Sequence, residues 1–317
     1  MSKDTLVSLL LIAYNQERFV REAVHSALVQ THSPLEIIIS DDCSSDKTVD
    51  VIQEEVSGYR GPHRIVLNRN QQNLGLAGNL NRAWELSEGQ FIVAQAGDDL
   101  SVPDRVNKLV QRWEEASVDL VCSYFAEIDV YGKPTGHVKT AVASIPDTSK
   151  SVITWSCGAT GACAAYSRKL YEKYGPLNSR VISEDWVYPF RAWLENGIAV
   201  VEEPLVKHRT HENSISVMQR TVNDVQDIAL KRARKRKGDE GSLAIAEEWL
   251  RAWQICGKND PRIEDELQRL VRLRRMRFQA YDATRRDAFK LAIKYFRDGA
   301  GIVNAAKIIA RHVFLWA

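Results

Sequence analysis

The sequence predicts an α/β fold, with a mostly parallel sheet flanked by helices and an all-helical region after it. In the first half of the chain, short apolar runs alternate with segments of helical periodicity. Most of these runs are continuous rather than alternating with polar residues, which is typical of parallel strands buried on both faces. From about residue 222 onward the strand pattern stops, and Ala, Leu, Glu, Lys and Arg dominate.

The predicted elements alternate regularly along the chain. We expect strands at 6–13, 35–40, 64–67, 90–94 and 120–128. The helices between them are expected at 19–28, 48–56, 77–86 and 103–116. The segment at 135–151 is polar, and we expect a loop there. This βαβ series is typical of a Rossmann-like sheet, whose ligands bind beyond the carboxyl ends of the strands.

The charge distribution divides the chain into two parts. Residues 220–317 hold 22 Lys and Arg against 13 Asp and Glu, a net charge of +9, whereas residues 1–219 carry −7. We therefore expect one large domain at 1–219 and a basic helical region at 220–317. A basic region favours an anionic partner, either a membrane surface or nucleic acid, although such charges are as often a solvated helix face.

The cysteines and the N-terminal segment indicate the compartment. The five cysteines are odd in number and include no Cys-x-x-Cys pair, which argues against a disulfide framework and a structural zinc site. The apolar run at 6–13 is too short for a signal peptide or a membrane span. We therefore expect a cytoplasmic protein.

Residues 302–316 combine a narrow polar stripe with mostly apolar residues. The stripe consists of Asn304, Lys307 and Arg311. Such a helix can lie at the inner face of the cell membrane as a peripheral contact, with its basic side toward anionic headgroups. Packing onto the body of the protein, or onto a partner chain as in a homo-oligomer, is an equal alternative.

Paired acidic residues follow two strands of the predicted sheet. Asp41 and Asp42 end the second strand, and Asp98 and Asp99 follow the fourth. A carboxylate at the first position can accept the imide N–H of a uracil or thymine base, and we choose Asp42 for this role. The second pair offers the hard oxygen ligands that Mg²⁺ or Mn²⁺ bound to a diphosphate requires. Taken singly, these acids can also be turn and helix-cap residues.

Taken together, several segments resemble the family 2 glycosyltransferases of the A-type fold. They occur in the family's order over residues 5–217, about two thirds of the chain. The sequence departs from the family at Ala96, where many relatives carry the first Asp of an Asp-x-Asp-Asp motif. The matching segments are Ala13-Tyr14-Asn15, Ile39-Ser40-Asp41-Asp42-Cys43-Ser44-Ser45-Asp46, Asn73-Leu74-Gly75, Asp98-Asp99, Pro103-Asp104-Arg105, Ser183-Glu184-Asp185-Trp186 and His208-Arg209-Thr210-His211.

The resemblance implies roles for the individual residues of these motifs. Tyr14 and Asp42 would line the base of a nucleotide-sugar donor, and Asp98 would lie near its ribose and diphosphate. Asp99 would ligate a divalent metal ion, Mn²⁺ or Mg²⁺. His211 would be a further metal or diphosphate contact.

The implied activity is inverting transfer of a sugar from a UDP- or dTDP-sugar to a hydroxyl of a glycan or lipid-linked glycan, in surface polysaccharide assembly. Inversion needs a carboxylate that takes the acceptor proton while the oxygen attacks the anomeric carbon, and the resemblance implies Asp185. Read from the residues alone, Glu184 and Asp185 are also acids at the start of a helix at 186–194. The small residues at 155–162 suit either a loop that admits the acceptor or tight packing beside the sheet.

Other classes of protein fit less well. A sugar-nucleotide pyrophosphorylase or a dinucleotide-dependent oxidoreductase would need a glycine-rich loop after the first strand, but the first glycine is Gly58. Ala96 and the helical tail give some weight to a catalytically impaired scaffold protein that still binds a nucleotide sugar. The retention of Asp42, Asp99, Asp185 and His211 argues against it. The basic clusters at 231–237 and 272–277 have no interleaved aromatic platform, so we expect no nucleic-acid partner.

Overall fold

The structure is a computed structural model that describes residues 5–140, 159–212, 214 and 224–300. It divides the chain into two units, Met1–His211 and Glu212–Ala317. The predicted domain boundary between residues 219 and 220 and the predicted tail helix at 302–316 both lie outside the described residues.

A nine-stranded sheet forms the centre of the first unit. Its strands are β1 (Val7–Ala13), β2 (Leu35–Asp41), β3 (Arg64–Arg69), β4 (Phe91–Ala96), β5 (Leu100–Ser101), β6 (Leu120–Ile128), β7 (Pro134–Lys139), β8 (Ala164–Ser167) and β9 (Ile198–Arg209). They lie in the order β3-β2-β1-β4-β8-β6-β9-β5, with β7 paired to β6. Strands β3, β2, β1 and β4 are parallel to one another, and β8 lies between β4 and β6 and is antiparallel to both. The predicted α/β fold class is confirmed.

Helices pack against this sheet. In the first unit they are α1 (Val20–Leu28), α2 (Thr48–Ser57), α3 (Gly75–Leu86), α4 (Arg105–Ala116), α5 (Arg168–Tyr174) and α6 (Val187–Leu194). Every residue of β1 except Ile12 is buried. Leu9 and Leu11 share one core cluster with Val24 of α1 and Leu109 of α4. The unbroken apolar run of β1 is therefore explained by a strand enclosed between helices.

Strands β5, β7, β8 and β9 were not among the predicted elements. The prediction of a loop at 135–151 is wrong for residues 135–139, which belong to β7. All six residues of β7 are exposed, so the strand lacks the hydrophobic pattern from which it could have been predicted. No strand was predicted at β9, whose apolar sequence is interrupted by the exposed residues 202–204.

The second unit contains three helices among the described residues. They are α7 (Ile228–Cys256), α8 (Pro261–Gln279) and α9 (Arg285–Tyr295), and a π-helical turn, Phe296–Ala300, follows α9. Each helix begins at a residue whose side chain accepts a backbone hydrogen bond, namely Asp227, Asp260 and Thr284. The predicted all-helical extension is confirmed. Within the described part of the chain, no helix is long and apolar enough to cross a membrane.

Candidate active site

The carboxyl ends of three adjacent strands meet at one edge of the sheet. β1 pairs with both β2 and β4, and its register sets Ala13 beside Asp41 and Ile12 beside Ala96. The segments that follow these strands therefore begin at the same edge. They contain the predicted residues Tyr14, Asp42, Asp98 and Asp99.

Asp42 is buried and held in one orientation. Its backbone N–H donates to the carbonyl oxygen of Ala13 at 2.9 Å. Its Oδ1 accepts hydrogen bonds from Nδ2 of Asn70 at 2.9 Å and from the backbone N–H of Leu74 at 2.8 Å. Oδ2 accepts none from a described residue, so this oxygen is left for a ligand. Tyr14, directly after β1, is 47% exposed.

A buried network of amides holds Asn70 in place. Oδ1 of Asn79, on α3, accepts from Nδ2 of Asn70 at 3.0 Å and from the hydroxyl of Ser40 at 2.6 Å. Nδ2 of Asn79 donates to the carbonyl oxygen of Ser40 at 3.0 Å. The network fixes the surroundings of Asp42 across three segments of the chain. Sequence reasoning missed Asn70, and the nearby motif Asn73-Leu74-Gly75 was the nearest signal.

Asp98 and His211 form a polar pair although 113 residues separate them. Nε2 of His211 lies 2.9 Å from Oδ2 of Asp98, and their side chains are 8% and 14% exposed, respectively. The imidazole also packs on the ring of Phe19, with the centroids 4.7 Å apart. His211 lies two residues beyond β9, so this unpredicted strand brings it to the end of β4.

Asp99 is more deeply buried than Asp98, at 2% exposure. Its Oδ1 accepts the backbone N–H of Arg209 at 2.8 Å. Burial raises the pKa of Asp99 well above its usual range, and the neighbouring charge of Asp98 raises it further. A metal ion would therefore have to reach Asp99 through Oδ2.

Arg209 connects these groups and is itself buried. Besides its backbone bond to Asp99, its Nε donates to the carbonyl oxygen of Asp98 at 3.0 Å. Its Nη2 donates to the carboxylate of Glu22 at 2.6 Å, and the guanidinium lies 5.0 Å from the centroid of the Phe19 ring. One side chain thus ties α1 to the loop that carries both acids. Sequence reasoning included Arg209 in a motif but gave it no role.

Asp185 lies in a 3-10 turn, Glu184–Trp186, that precedes α6. Its Oδ1 accepts the backbone N–H of Gly161 at 2.8 Å. Its carbonyl oxygen accepts the N–H of Ala159 at 3.1 Å. A Cβ atom at position 161 would overlap the carboxylate oxygens of both Glu184 and Asp185, so any other residue type would displace these oxygens.

Glu184 and Asp185 are half-buried neighbours whose proton affinities are coupled. Loss of solvent raises the pKa of Glu184 to about 8, and the charge of Asp185 adds to the effect. Loss of solvent also raises the pKa of Asp185 to about 6, although the N–H of Gly161 lowers it. Near neutral pH, Glu184 therefore holds a proton while Asp185 is mostly ionised. An ionised carboxylate with raised proton affinity is suited to general-base chemistry.

Arg105 fixes the turn that holds Gly161 against the sheet. Its side chain is fully buried, and Nη2 donates to the carbonyl oxygens of Ala94 on β4 and of Ala162, both at 2.8 Å. Nη1 donates to the hydroxyl of Ser101 at 2.9 Å. Burial lowers the pKa of Arg105 to about 10, which leaves the guanidinium charged at neutral pH.

The sequence matches the family model described as "Glycosyl transferase family 2" over residues 8–175. The chain belongs to glycosyl transferase family 2. The uncharacterized glycosyltransferase alr2836 of Nostoc sp. is 26% identical to it over 213 residues, which cover 65% of each chain. TuaG of Bacillus subtilis, described as a putative teichuronic acid biosynthesis glycosyltransferase, is 33% identical over 112 residues, 35% of this chain and 43% of TuaG. The chain therefore spans less than two thirds of these relatives.

Solved structures share the fold of this family 2 chain at low sequence identity. Residues 1–349 of S. aureus TarS, in complex with UDP-GlcNAc, superpose with a TM-score of 0.58 at 16% identity, covering 96% of this chain and 91% of that one. The mannosyltransferase PcManGT of Pyrobaculum calidifontis, in complex with GDP-Man and Mn²⁺, gives a TM-score of 0.50 at 16% identity, covering 97% and 87%. The predicted A-type glycosyltransferase fold is confirmed.

The side chains of Asp98 and His211 could share a metal ion with the phosphate oxygens of a bound ligand. No group of three or more His, Cys, Asp or Glu side chains among the described residues is arranged as a metal site. Asp98 and His211 nevertheless supply one oxygen and one nitrogen, 2.9 Å apart. Mg²⁺ and Mn²⁺ at phosphate sites take few protein ligands and complete their coordination with water and phosphate oxygens. The pair suits such an ion.

The structure brings the predicted residues of this family 2 site to one region of the first unit. Asp185 comes from a separate turn, which Gly161 holds in place. Burial raises the pKa of the Cys163 thiol, and the charges of Asp99 and Asp185 both raise it further, so these two acids lie within electrostatic reach of one group. The residues gathered at the sheet edge are Tyr14, Asp42, Asp98, Asp99 and His211.

Proposed function

We propose that the chain is an inverting glycosyltransferase that moves a sugar from a UDP- or dTDP-sugar to a hydroxyl of a glycan or glycoconjugate. The observation that carries this proposal is the environment of Asp185. It is half-buried, it accepts the N–H of Gly161 at 2.8 Å, and its pKa is raised to about 6. A base with these properties suits proton removal from an acceptor hydroxyl.

The base of the donor would bind at Asp42 and Tyr14. Oδ2 of Asp42 would accept the imide N–H of uracil or thymine, because Oδ1 is occupied by Asn70 and Leu74. The exposed ring of Tyr14 would stack on the base. The complex of TarS with UDP-GlcNAc shows that a protein of this fold binds a uracil nucleotide.

Asp98 and His211 would hold a divalent metal ion, with Asp99 as a further ligand through Oδ2. When bound, the ion would stabilise the negative charge of the departing diphosphate. Arg209 would support these ligands, since it fixes the backbone of Asp98 and the Oδ1 of Asp99. The complex of PcManGT contains Mn²⁺ together with a nucleotide sugar, which agrees with this proposal.

Asp185 would remove the acceptor proton as the new bond forms. The acceptor oxygen attacks the anomeric carbon, the bond from that carbon to the diphosphate breaks, and Asp185 receives the hydroxyl proton. Glu184 remains protonated near neutral pH, so it adds no second negative charge beside the base. The protonated Glu184 also donates a hydrogen bond that favours the ionised form of Asp185.

The acceptor is proposed from chemistry and from similarity together. TuaG is described as a putative teichuronic acid biosynthesis glycosyltransferase, and this favours assembly of a surface polysaccharide on a lipid-linked glycan. A cytoplasmic enzyme at the inner face of the membrane would suit that acceptor. A homo-oligomer remains a prediction.

The test combines ligand binding with turnover. Thermal shift should show stabilisation by UDP or dTDP, larger with Mn²⁺ than with a chelator, and weaker stabilisation by GDP. Donor hydrolysis or transfer should be lost on chelation and in Asp185→Asn, while the Asp185→Asn protein still binds UDP or dTDP. Nucleotide binding without turnover in the wild type would instead identify a scaffold protein that has lost the reaction.

A further inference from the structure

Helix α9 exposes an apolar stripe. Phe289, Ile293 and Phe296 are 55%, 41% and 49% exposed. Phe289 and Ile293, four residues apart, lie on one side of α9, and Phe296 begins the π-helical turn that follows. The neighbouring side of the helix is buried against α8 in a cluster that contains Met276, Ala280, Ala292 and Tyr295. The helix is therefore docked on its own unit and still leaves a second apolar side in solvent.

A row of cations borders this stripe on the side away from the buried cluster. Its members are Arg286, Lys290 and Lys294 of α9, together with Arg297 of the π-helical turn. Lys290 forms an ion pair with Asp287 at 3.5 Å. The other three form no salt bridge with any residue that the structure describes. We refer to the stripe of Phe289, Ile293 and Phe296 together with this row as the α9 face.

We propose that the α9 face docks the protein on the surface of an anionic lipid bilayer. The reason is that an exposed apolar stripe lies beside four cations, three of which form no salt bridge with a described residue. Phe289, Ile293 and Phe296 would insert at the boundary of headgroups and acyl chains, and the cations would contact lipid phosphates. This inference is independent of the proposed reaction, because no residue of the candidate active site takes part.

Charge complementarity selects anionic lipid as the occupant. Residues 220–317 carry a net charge of +9, and the row of cations lies beside the apolar residues that would insert. Each Lys or Arg near an anionic surface strengthens binding about fivefold. A stripe of three apolar residues binds only weakly by itself, so both components are needed. Binding should therefore require anionic lipid and weaken with added salt.

The test is flotation of the full-length chain with vesicles of phosphatidylcholine alone or mixed with phosphatidylglycerol. We compare the wild type with the double variants Phe289→Asn/Ile293→Asn and Lys290→Glu/Lys294→Glu. The matched control is Lys237→Glu/Arg272→Glu, which makes the same change in charge at exposed positions on α7 and α8. All four substituted positions of the test variants are exposed, so melting temperatures should stay unchanged.

The wild type should float only with the anionic vesicles. The apolar double variant should lose at least about tenfold in binding, and the charge variant about 25-fold or more. The control should bind like the wild type. No flotation of the wild type, or test variants that float like the wild type, would overturn the proposal. Equal losses of binding in the test and control variants would also overturn it. So would a dimer, detected by light scattering, that the Phe289→Asn/Ile293→Asn substitutions dissociate, because a second copy would then cover the stripe.

Discussion

Gly161 donates its backbone N–H to the carboxylate of Asp185 at 2.8 Å, across 24 residues of sequence. A Cβ atom at this position would overlap oxygens of both Asp185 and Glu184, so any other residue type would displace the two carboxylates. The hydrogen bond favours the ionised form of Asp185, and the missing side chain admits Glu184 alongside it. The geometry of the proposed base is therefore set by a residue that has no side chain.

We predict that Gly161→Ala lowers turnover by about 100-fold, the order expected when a catalytic group is displaced by about 1 Å. The added methyl group must push the two carboxylates away and weaken the N–H contact. Nucleotide affinity, measured by calorimetry with UDP or dTDP, should change little because Asp42 and Asp98 are untouched. The rate profile should also shift to higher pH, since Asp185 loses a donor that lowers its pKa.

The matched control is Gly238→Ala, in helix α7, where an added Cβ atom meets nothing within 4 Å. This substitution should leave turnover unchanged and raise stability slightly, because alanine is the better helix former by about 1 kcal/mol. A Gly161→Ala protein with normal turnover and an unchanged pH profile would show that the Gly161 contact has no part in positioning Asp185.

For β1 and β7, burial decides whether the strand could be predicted from the sequence. β1 was predicted because its apolar run is enclosed on both faces, whereas β7 escaped prediction because every residue is exposed. β9 escaped because exposed residues and a register shift near Pro204 interrupt its apolar pattern. Strand prediction from periodicity detects the hydrophobic contacts of a strand, and a strand held mainly by backbone hydrogen bonds leaves no such signal.

The residues of the candidate site likewise fall into those that the sequence predicts and those that it does not. Asp42 and Asp98 could be selected because acids after buried strands carry an intrinsic signal, and His211 and Asp185 because their motifs resemble a known family. Arg209 was assigned no role since it acts on Asp99 through its backbone N–H, 110 residues away in sequence. Gly161 acts through its own N–H as well. Backbone donors have no sequence signature, so their roles become visible only when the tertiary contacts are known.

We predict that Asp185→Asn lowers turnover by roughly 10²- to 10⁴-fold, the range typical of general-base loss. The amide preserves the size of the side chain and can still accept the N–H of Gly161, so the melting temperature should fall by little. Affinity for UDP or dTDP should stay close to that of the wild type. Near-normal transfer by this variant would remove Asp185 from the base role, and Glu184→Gln would then be the variant to measure.

The stability of the protein should depend on pH through Glu184. Its folded pKa is raised from 4.5 to about 8, so the folded state binds a proton that the unfolded state has released between these values. This contribution to stability is fully present below about pH 4.5 and is lost as pH rises through 8. Glu184→Gln should therefore flatten part of the decline in melting temperature across this window. Parallel pH curves for the variant and the wild type would contradict the raised pKa.

The last prediction separates the two acids after β4. Asp98→Asn should abolish the Mn²⁺-dependent part of UDP or dTDP affinity at little cost in stability, because Asp98 is the more exposed acid and faces Nε2 of His211. His211→Gln should weaken the same component.

Asp99→Asn keeps an acceptor for the N–H of Arg209, so the variant should fold, and it reports on ligation through Oδ2 alone. If Asp99 is a metal ligand, the Mn²⁺-dependent affinity of the Asp99→Asn variant for UDP or dTDP falls as it does in Asp98→Asn. Asp99→Ala should in addition lower the melting temperature, because the buried N–H of Arg209 loses its partner. Calorimetry of UDP or dTDP with Mn²⁺ and with a chelator, on one preparation of each variant, measures both effects. Unchanged metal-dependent affinity in Asp99→Asn would restrict Asp99 to holding Arg209, and the same result in Asp98→Asn would eliminate the proposed metal pair.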